Sequence, residues 1–392
     1  MPILFLIVVI DLIGFGIIMP LLPLYTEIMG AGPVTVGFVM ATYSLTQFIA
    51  SPFWGRSSDR FGRRPILLIS LFGMVISYVW LGYADNIWMI LGARAIGGFM
   101  AGNISTAFAY VADVTTRKTR AKGMGLIGAA FGLGFIIGPA IGGILAGSDP
   151  VHADYRTPGL AAAGFSFLAW ILAFVFLKES LSPDIRKRLA AQPRQKRHEQ
   201  FRAALDRPNL GLLIWLAFLA TLAFAGLEAT FAMWSKRQFG WGPEQNGYIF
   251  AFVGILGAAI QGGLIGRLNK RFGEARLIIQ GAAALAIGMV MIPFCQSLPF
   301  LIIAMAIAIY GFSIISPALS SLTSLQIGEE EQGGILGVTR SATTLGRVAG
   351  PAIAGSLFGL LGKDWPYFFG AVVMTVVMII SWRTRRRFPV NK

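Results

Sequence analysis

Gly55-Arg-Ser-Ser-Asp-Arg-Phe-Gly-Arg63 follows one long apolar run, and Gly266-Arg-Leu-Asn-Lys-Arg-Phe-Gly-Glu274 follows another 211 residues later. A second pair keeps nearly the same offset: Gly138-Pro-Ala-Ile-Gly-Gly143 and Gly350-Pro-Ala-Ile-Ala-Gly355 lie 212 residues apart. Two unrelated motifs that recur at almost one offset divide the chain into two homologous halves. Both copies fall at equivalent places with the same orientation, so the repeat is parallel.

Working outward from these motifs, twelve apolar segments follow one another: 3–26, 34–55, 65–84, 87–112, 122–147, 158–177, 209–234, 244–266, 276–294, 298–325, 333–361 and 365–382. Each is long enough to cross a bilayer as a helix. The 392 residues are 55% hydrophobic and 13% charged, against roughly 25% charged in soluble domains. The expected fold is all-α and multi-pass, with two pseudo-symmetric six-helix bundles related by an axis along the membrane normal. The bundles are placed at 1–177 and 209–382, joined by a basic linker at 178–208 and followed by a basic tail at 383–392. The linker is rich in Gln and Arg and carries Pro183, Pro193 and Pro208, with a surface helix expected around His198–Leu205. Met1–Ile10 lacks a basic region before the apolar run, so a cleaved signal peptide is not expected.

The net charge of +15 raises the question of nucleic acid, and its distribution answers it. Of 33 Lys and Arg, 26 fall in alternate loops, the linker and the tail, including Arg56, Arg60, Arg63 and Arg64 after the second segment. The opposite loops hold Arg156, Lys236, Arg237 and Lys363 only. This is a topology signal that places both termini in the cytoplasm, strengthened by contact with anionic lipid. No nucleic-acid partner is expected. Glu329, Glu330 and Glu331 form an acidic cytoplasmic loop, which is either simply solvated or a partner of neighbouring basic loops.

Cys295 is the only cysteine, and the two histidines, His152 and His198, lie in segments read as loops. Neither a metal site nor a nucleophile–base set can be assembled from them, so no enzyme, metal or cofactor is expected. Intramembrane charges are the best functional pointers. They are Asp11, a third of the way in from the cytoplasm, Arg94, Glu228, Arg340 and Arg347. A carboxylate in an alternating cavity can bind a proton in one state and release it in the other. Asp11 is the first candidate for proton coupling and Glu228 the second; the alternative for each is a permanently paired structural acid. Glu228 could instead hold a cationic substrate. Arg340 and Arg347, seven apart on one helix face, could bind an anionic group or compensate carboxylates. Gln47, Asn103, Tyr110 and Gln261 could line a cavity, or simply make interhelical contacts.

The residues resemble a known family. Gly55–Arg64 resembles the loop 2–3 signature of the major facilitator superfamily. Gly134-(x3)-Gly-Pro-(x2)-Gly-Gly143 resembles its antiporter motif, and Leu91-(x2)-Arg-(x3)-Gly98 its Arg-bearing motif in the fourth span. Asp11-Leu-Ile-Gly-Phe-Gly-Ile-Ile-Met-Pro-Leu-Leu-Pro23 resembles the first span of twelve-span drug/proton antiporters, the tetracycline/proton antiporters most of all. The resemblance implies a secondary transporter driven by the proton gradient, exporting hydrophobic drug-like molecules by rocking one half against the other. A bacterial cytoplasmic membrane is the expected location, and a single chain suffices as a functional monomer. Export or flipping of an endogenous metabolite or lipid, uniport, and a transporter-like sensor are the alternatives.

The resemblance also implies that Gly55, Asp59, Arg60, Gly62, Arg63, Arg64 and Asp113 form a gate that holds the cytoplasmic side closed. Asp59 and Arg63 are one helical turn apart, and Asp113 is a third partner; ordinary surface ion pairs are the alternative. Gly134, Gly138, Pro139, Gly142 and Gly143 would form an antiporter-type interface that suppresses leak, or equally serve plain packing. Arg94 belongs near the site on the same grounds. The second-half copy, Gly266, Lys270, Gly273 and Glu274, inverts the signs of the gate pair, so it is either a second gating copy or a simpler ion pair at a helix end. Two departures separate the chain from the tetracycline exporters: the eighth span has no His, and the ninth has no internal acid.

Overall fold

The computed structural model describes residues 2–182, 197–328 and 331–385. The described residues are helical and contain no strand. Twelve helices are long and apolar enough to cross a membrane, and they are numbered here as spans one to twelve: Pro2–Ile28, Pro33–Phe61, Arg63–Gly82, Ile87–Val114, Lys122–Ala146, Arg156–Phe176, Pro208–Phe239, Pro243–Phe272, Glu274–Phe294, Leu298–Leu325, Gly334–Leu361 and Trp365–Thr384. Each expected apolar segment has its helix. Glu329, Glu330, Arg386, Arg387 and Lys392, together with linker residues 183–196, lie outside the described residues.

Three local departures refine the spans. Span one breaks at Met19–Leu21, around Pro20, and resumes with Pro23 in its first turn. Span four breaks at Gly102-Asn103. Span eight contains a π-helical turn at Ile260–Leu264, a distortion that leaves i→i−4 bonding. The helix that carries span five begins earlier, at Arg117, where Thr116 and Thr119 cap each other's backbone.

The chain divides into two compact units, each drawing segments from both sequence halves. Unit 1 holds Met1–Gly32, Thr42–Pro193 and Ser235–Gly254, and unit 2 holds Pro33–Ala41, Arg194–Trp234 and Ile255–Lys392. Within unit 1, span one packs on spans five and six, and span three on spans four and six. Within unit 2, span nine packs on spans ten and twelve. The pairings three–four and nine–ten, and three–six and nine–twelve, repeat the internal duplication.

The deepest contact in unit 1 is made by glycines. A Cβ on Gly16 would lie 2.3 Å from the Gly134 carbonyl, and one on Gly138 would lie 2.6 Å from Gly16 Cα. Spans one and five therefore touch backbone to backbone, which only small residues allow. Unit 2 repeats the contact: Gly350 of span eleven meets the Leu222 carbonyl and Gly226 of span seven.

A helix over Arg197–Leu205 stands where a linker helix is expected. Ala204 and Leu205 pack with Leu210, Ile214, Ile335 and Val338 in an apolar cluster. Both guanidinium nitrogens of Arg207 bond Glu331, at 2.7 and 2.8 Å. That hydrogen-bonded guanidinium holds the Glu331 carboxyl below the usual carboxylate range. For this residue, the acidic loop is a partner of the basic linker.

Candidate functional site

Polar side chains gather at three places: within spans one to six, within spans seven to eleven, and at the loop between spans two and three.

The first group surrounds Asp11. Its carboxylate accepts a hydrogen bond from Ser166 Oγ of span six at 2.9 Å. Asp11 has no ion pair among the described residues. One turn further along span one, Gly14 lets Ser166 and the Tyr78 ring approach. Arg94 is buried in span four, with its guanidinium 4.2 Å from the centre of the Tyr43 ring. Gly98, one turn on, admits this approach, since a Cβ there would lie 2.1 Å from the Tyr43 carbonyl. The Tyr43 and Tyr78 hydroxyls both lie in the fields of Asp11 and Arg94. Tyr78 Oη and Arg94 Nε are buried without a hydrogen-bond partner. An acid, a base and unmet polar atoms in one apolar interior make a site that a polar guest or a water can complete.

The other expected cavity residues of this unit tie helices together. Gln47 Nε2 donates to the Ala101 carbonyl at 3.2 Å, and Asn103 Nδ2 donates to Ser70 Oγ. Tyr110 donates to the Lys178 carbonyl, at the end of span six and away from Asp11.

In the second group, Glu228 is buried in span seven and Arg347 reaches it from span eleven, Nη1 to Oε2, at 3.5 Å. One turn before Glu228, Phe224 stacks on Phe312 of span ten at 3.8 Å. Next to Phe312, Ser313 Oγ is buried without a partner and faces Gly257 of span eight. Gln261 follows one turn after Gly257, in the π-helical turn, with its side chain exposed. Arg340 is exposed in span eleven, and the Thr343 and Thr344 hydroxyls donate to its carbonyl. Of the two expected arginines, Arg347 is set against a carboxylate.

The third group is built on the loop 2–3 motif. Gly62 has φ +105°, a conformation that glycine adopts without strain, and it turns the chain from span two into span three. Arg63 is buried, and its guanidinium serves three acceptors. Nη1 donates to Asp59 Oδ1 at 2.6 Å and Ser58 Oγ at 2.7 Å, and Nε donates to Asp113 Oδ2 at 3.0 Å. Gly55 approaches Ser105 of span four, Arg60 lies over the Phe61 ring, and Arg64 donates to the Phe174 carbonyl.

Two further members of this group have no local mark in the sequence. Glu179, just after span six, accepts from the backbone N–H groups of Arg63 and Arg64 at 2.9 and 3.0 Å. Its carboxylate satisfies the first turn of span three, where the helix dipole favours an anion. Ser180 Oγ donates to Asp113 Oδ2. Glu179→Gln is expected to keep the packing and lower thermal stability by about 1 kcal/mol, the worth of a charge at a helix N-terminus. Thermal unfolding of the detergent-purified variant, set against Ser180→Ala, measures it.

The second-half copy uses another bond set. Glu274 Oε1 accepts from Asn269 Nδ2 at 2.9 Å and from Ser321 Oγ of span ten at 3.1 Å. The expected Lys270–Glu274 ion pair does not form among the described residues. Two neutral donors already hold the carboxylate, while Gly273, at φ +74°, sets the turn. Asn269 sits at the position of Ser58 and Glu274 at that of Arg63, each 211 residues on. The bond therefore survives with donor and acceptor exchanged. Gly266 has open space around it.

In the antiporter motif, Gly134 and Gly138 face span one, and Gly142 meets the Ile17 carbonyl. Pro139 removes the N–H that would bond the Phe135 carbonyl, and that carbonyl instead faces Gly254 of span eight. Gly143 packs on Pro243, Glu244 and Gly247. Among the described residues, no group of three or more His, Cys, Asp and Glu could hold a metal ion.

This constellation lies on helices whose sequence is matched by a family model. The model of the Major Facilitator Superfamily matches residues 4–265 and 259–392, so the chain belongs to that superfamily and is one of its multi-pass membrane transporters. It is 31% identical to multidrug resistance protein 2 of Bacillus subtilis (strain 168), over 95% of this chain and 92% of that protein. It is 32% identical to the class C tetracycline resistance protein of Escherichia coli, over 91% of this chain and 89% of that protein. The crystal structure of the human organic anion transporter MFSD10 (TETRAN) superposes with a TM-score of 0.72 at 26% identity, covering 97% of this chain and 98% of that one.

Proposed function

We propose that the protein exports hydrophobic drug-like molecules in exchange for protons, by alternating access between its two halves. It sits in a bacterial cytoplasmic membrane with both termini inside and acts as a single chain. The relatives named multidrug and tetracycline resistance proteins support the substrate class. The charge asymmetry of the loops supports the orientation.

The observation that carries proton coupling is the contrast between the two intramembrane acids. Glu228 has a guanidinium beside it, whereas among the described residues Asp11 bonds only the neutral Ser166 hydroxyl. A carboxylate without a fixed counter-charge, in a cavity that opens to each side in turn, can bind a proton in one state and release it in the other. It gives the proton up when water or a cationic group reaches it. Asp11 is therefore the proton carrier, and Arg94 and Tyr78 mark where the guest meets it. Glu228, Arg347, Phe224 and Phe312 form a separate group within unit 2, which offers a charge pair and stacked rings to a drug-like guest.

Proton flux into proteoliposomes tests this reading, with a gradient imposed and tetracycline and hydrophobic cations added in turn. The parent is expected to move protons only with substrate. Asp11→Asn is expected to lose coupled flux at least hundredfold while retaining substrate binding, and Glu228→Gln to retain coupling. Loss in Glu228→Gln alone moves the carrier to span seven. Substrate flux with no proton movement refutes antiport.

A further inference from the structure

Lys236 and Arg237 are an anomaly of the topology. Two adjacent bases end span seven on the side that otherwise carries only Arg156 and Lys363. Positive charge there opposes the inside bias that orients such chains, so it needs a local cause.

The cause lies in unit 1. Glu27, at the end of span one, receives Arg237 Nη2 at 2.7 Å and Lys236 Nζ at 3.4 Å. Its side chain is only 9% exposed. It is also held on a stiff base. Two residues earlier, the Tyr25 hydroxyl donates at the Ala84 and Leu81 carbonyls ending span three, and its ring stacks on Tyr155 at 4.7 Å. Tyr155 Oη is buried without a partner and lies in the field of Glu27. Spans one, three and six thus present one carboxylate to the end of span seven. The hairpin bearing the two bases is itself braced, because Ser235 Oγ donates to Asn246 Oδ1 and Asn246 Nδ2 to the Gly242 carbonyl. Beyond it, the Glu244 N–H donates to the Gly147 carbonyl at 3.1 Å, and Gly143 packs on Gly247.

We propose that Glu27, Lys236 and Arg237 form an ionic lock that holds the non-cytoplasmic ends of spans one and seven together, and that the lock must open in each transport cycle. The proposal rests on the alternating-access reading. Span one belongs to the first half and span seven to the second, so no rocking of the halves leaves this bond intact on both strokes. Parting spans one and seven would leave the nearly buried Glu27 carboxylate without its two counter-charges, a cost that biases the resting state, while the partial exposure of Lys236 and Arg237 lets hydration release the lock. Glu27 is then a positioning residue that sets which side the site faces. The cluster at Arg63 is its counterpart at the opposite ends of the helices.

Spin labels at Val151→Cys and Tyr248→Cys, both exposed and both in unit 1, in a Cys295→Ser background, report the separation on this side by pulsed electron–electron resonance. The parent is expected to show mainly the short distance. Glu27→Gln is expected to raise the long-distance fraction several-fold, and Glu27→Arg with Arg237→Glu to return it to the parent distribution. An unchanged distribution in Glu27→Gln, or a charge-swapped pair that does not restore it, overturns the proposal. Retention of monodisperse elution by the swapped pair guards against misfolding of the single variant. The readout needs no substrate, so a lock that behaves as expected in a protein without proton flux refutes antiport and leaves the lock standing.

Discussion

Gly138→Ala is expected to cripple the protein, and Gly125→Ala, thirteen residues earlier on the same helix, to leave it intact. The added methyl at Gly138 would lie 2.6 Å from Gly16 Cα and carbonyl carbon and 2.7 Å from the Ile13 carbonyl oxygen. These are backbone atoms, so no rotamer change relieves the clash and span five must move away from span one. Overpacking of this kind costs about 1–3 kcal/mol and disturbs every contact along the helix pair. At Gly125 and Gly128 an added Cβ meets nothing within 4 Å. Alanine there gains helix propensity, about 1 kcal/mol in water-exposed helices. The duplication extends the prediction: Gly350→Ala, whose Cβ would lie 2.4 Å from the Leu222 carbonyl, should behave as Gly138→Ala does. Thermal unfolding in detergent and drug-coupled flux, measured on the four variants together, test the pattern. Equal tolerance at Gly125 and Gly138 would refute the backbone contact.

The same contrast shows what the sequence could disclose. Twelve apolar runs register because a bilayer demands about twenty apolar residues per crossing, whatever the neighbours are. The repeat registers because both copies of each motif keep their spacing. Which glycine faces a helix and which faces open space does not register: Gly125, Gly134 and Gly138 look alike in the chain, and only their partners distinguish them. The same holds for site residues. Asp11 stands out as an acid in an apolar run, but Ser166, its hydrogen-bond partner, lies 155 residues away and is one small polar residue among many. Glu179 bonds a turn 116 residues earlier and carries no motif. Glu274 was misleading in the other direction. Its spacing from Lys270 suits an ion pair, yet neutral donors at the end of span eight and on span ten take its oxygen first. The π-helical turn at Ile260–Leu264 follows from packing over several turns and leaves hydropathy unchanged.

Arg63→Lys is expected to fail almost as fully as Arg63→Ala, although the charge is kept. The guanidinium works from two separated nitrogens: Nη1 reaches Asp59 and Ser58, and Nε reaches Asp113 on span four. An ammonium is a single point and cannot stand at both positions, so one of the two carboxylates loses its partner. Asp59 and Asp113 side chains are about one-fifth exposed and Arg63 hardly at all, so the cluster is screened less than a surface pair. Removing one partner of a fully buried pair costs about 3–5 kcal/mol, and this exposure places Arg63→Ala at roughly 2 kcal/mol. The functional loss should be larger than the loss of stability, because the cluster fixes the end of span two against spans three and four on one side of the membrane only. Asp113→Asn separates the two effects: Ser180 Oγ still finds an oxygen, but Arg63 Nε faces a neutral amide. Its unfolding temperature is expected to stay near the parent value while drug-coupled flux falls at least tenfold. If Asp113→Asn transports like the parent, the cluster is a structural tie and has no part in gating.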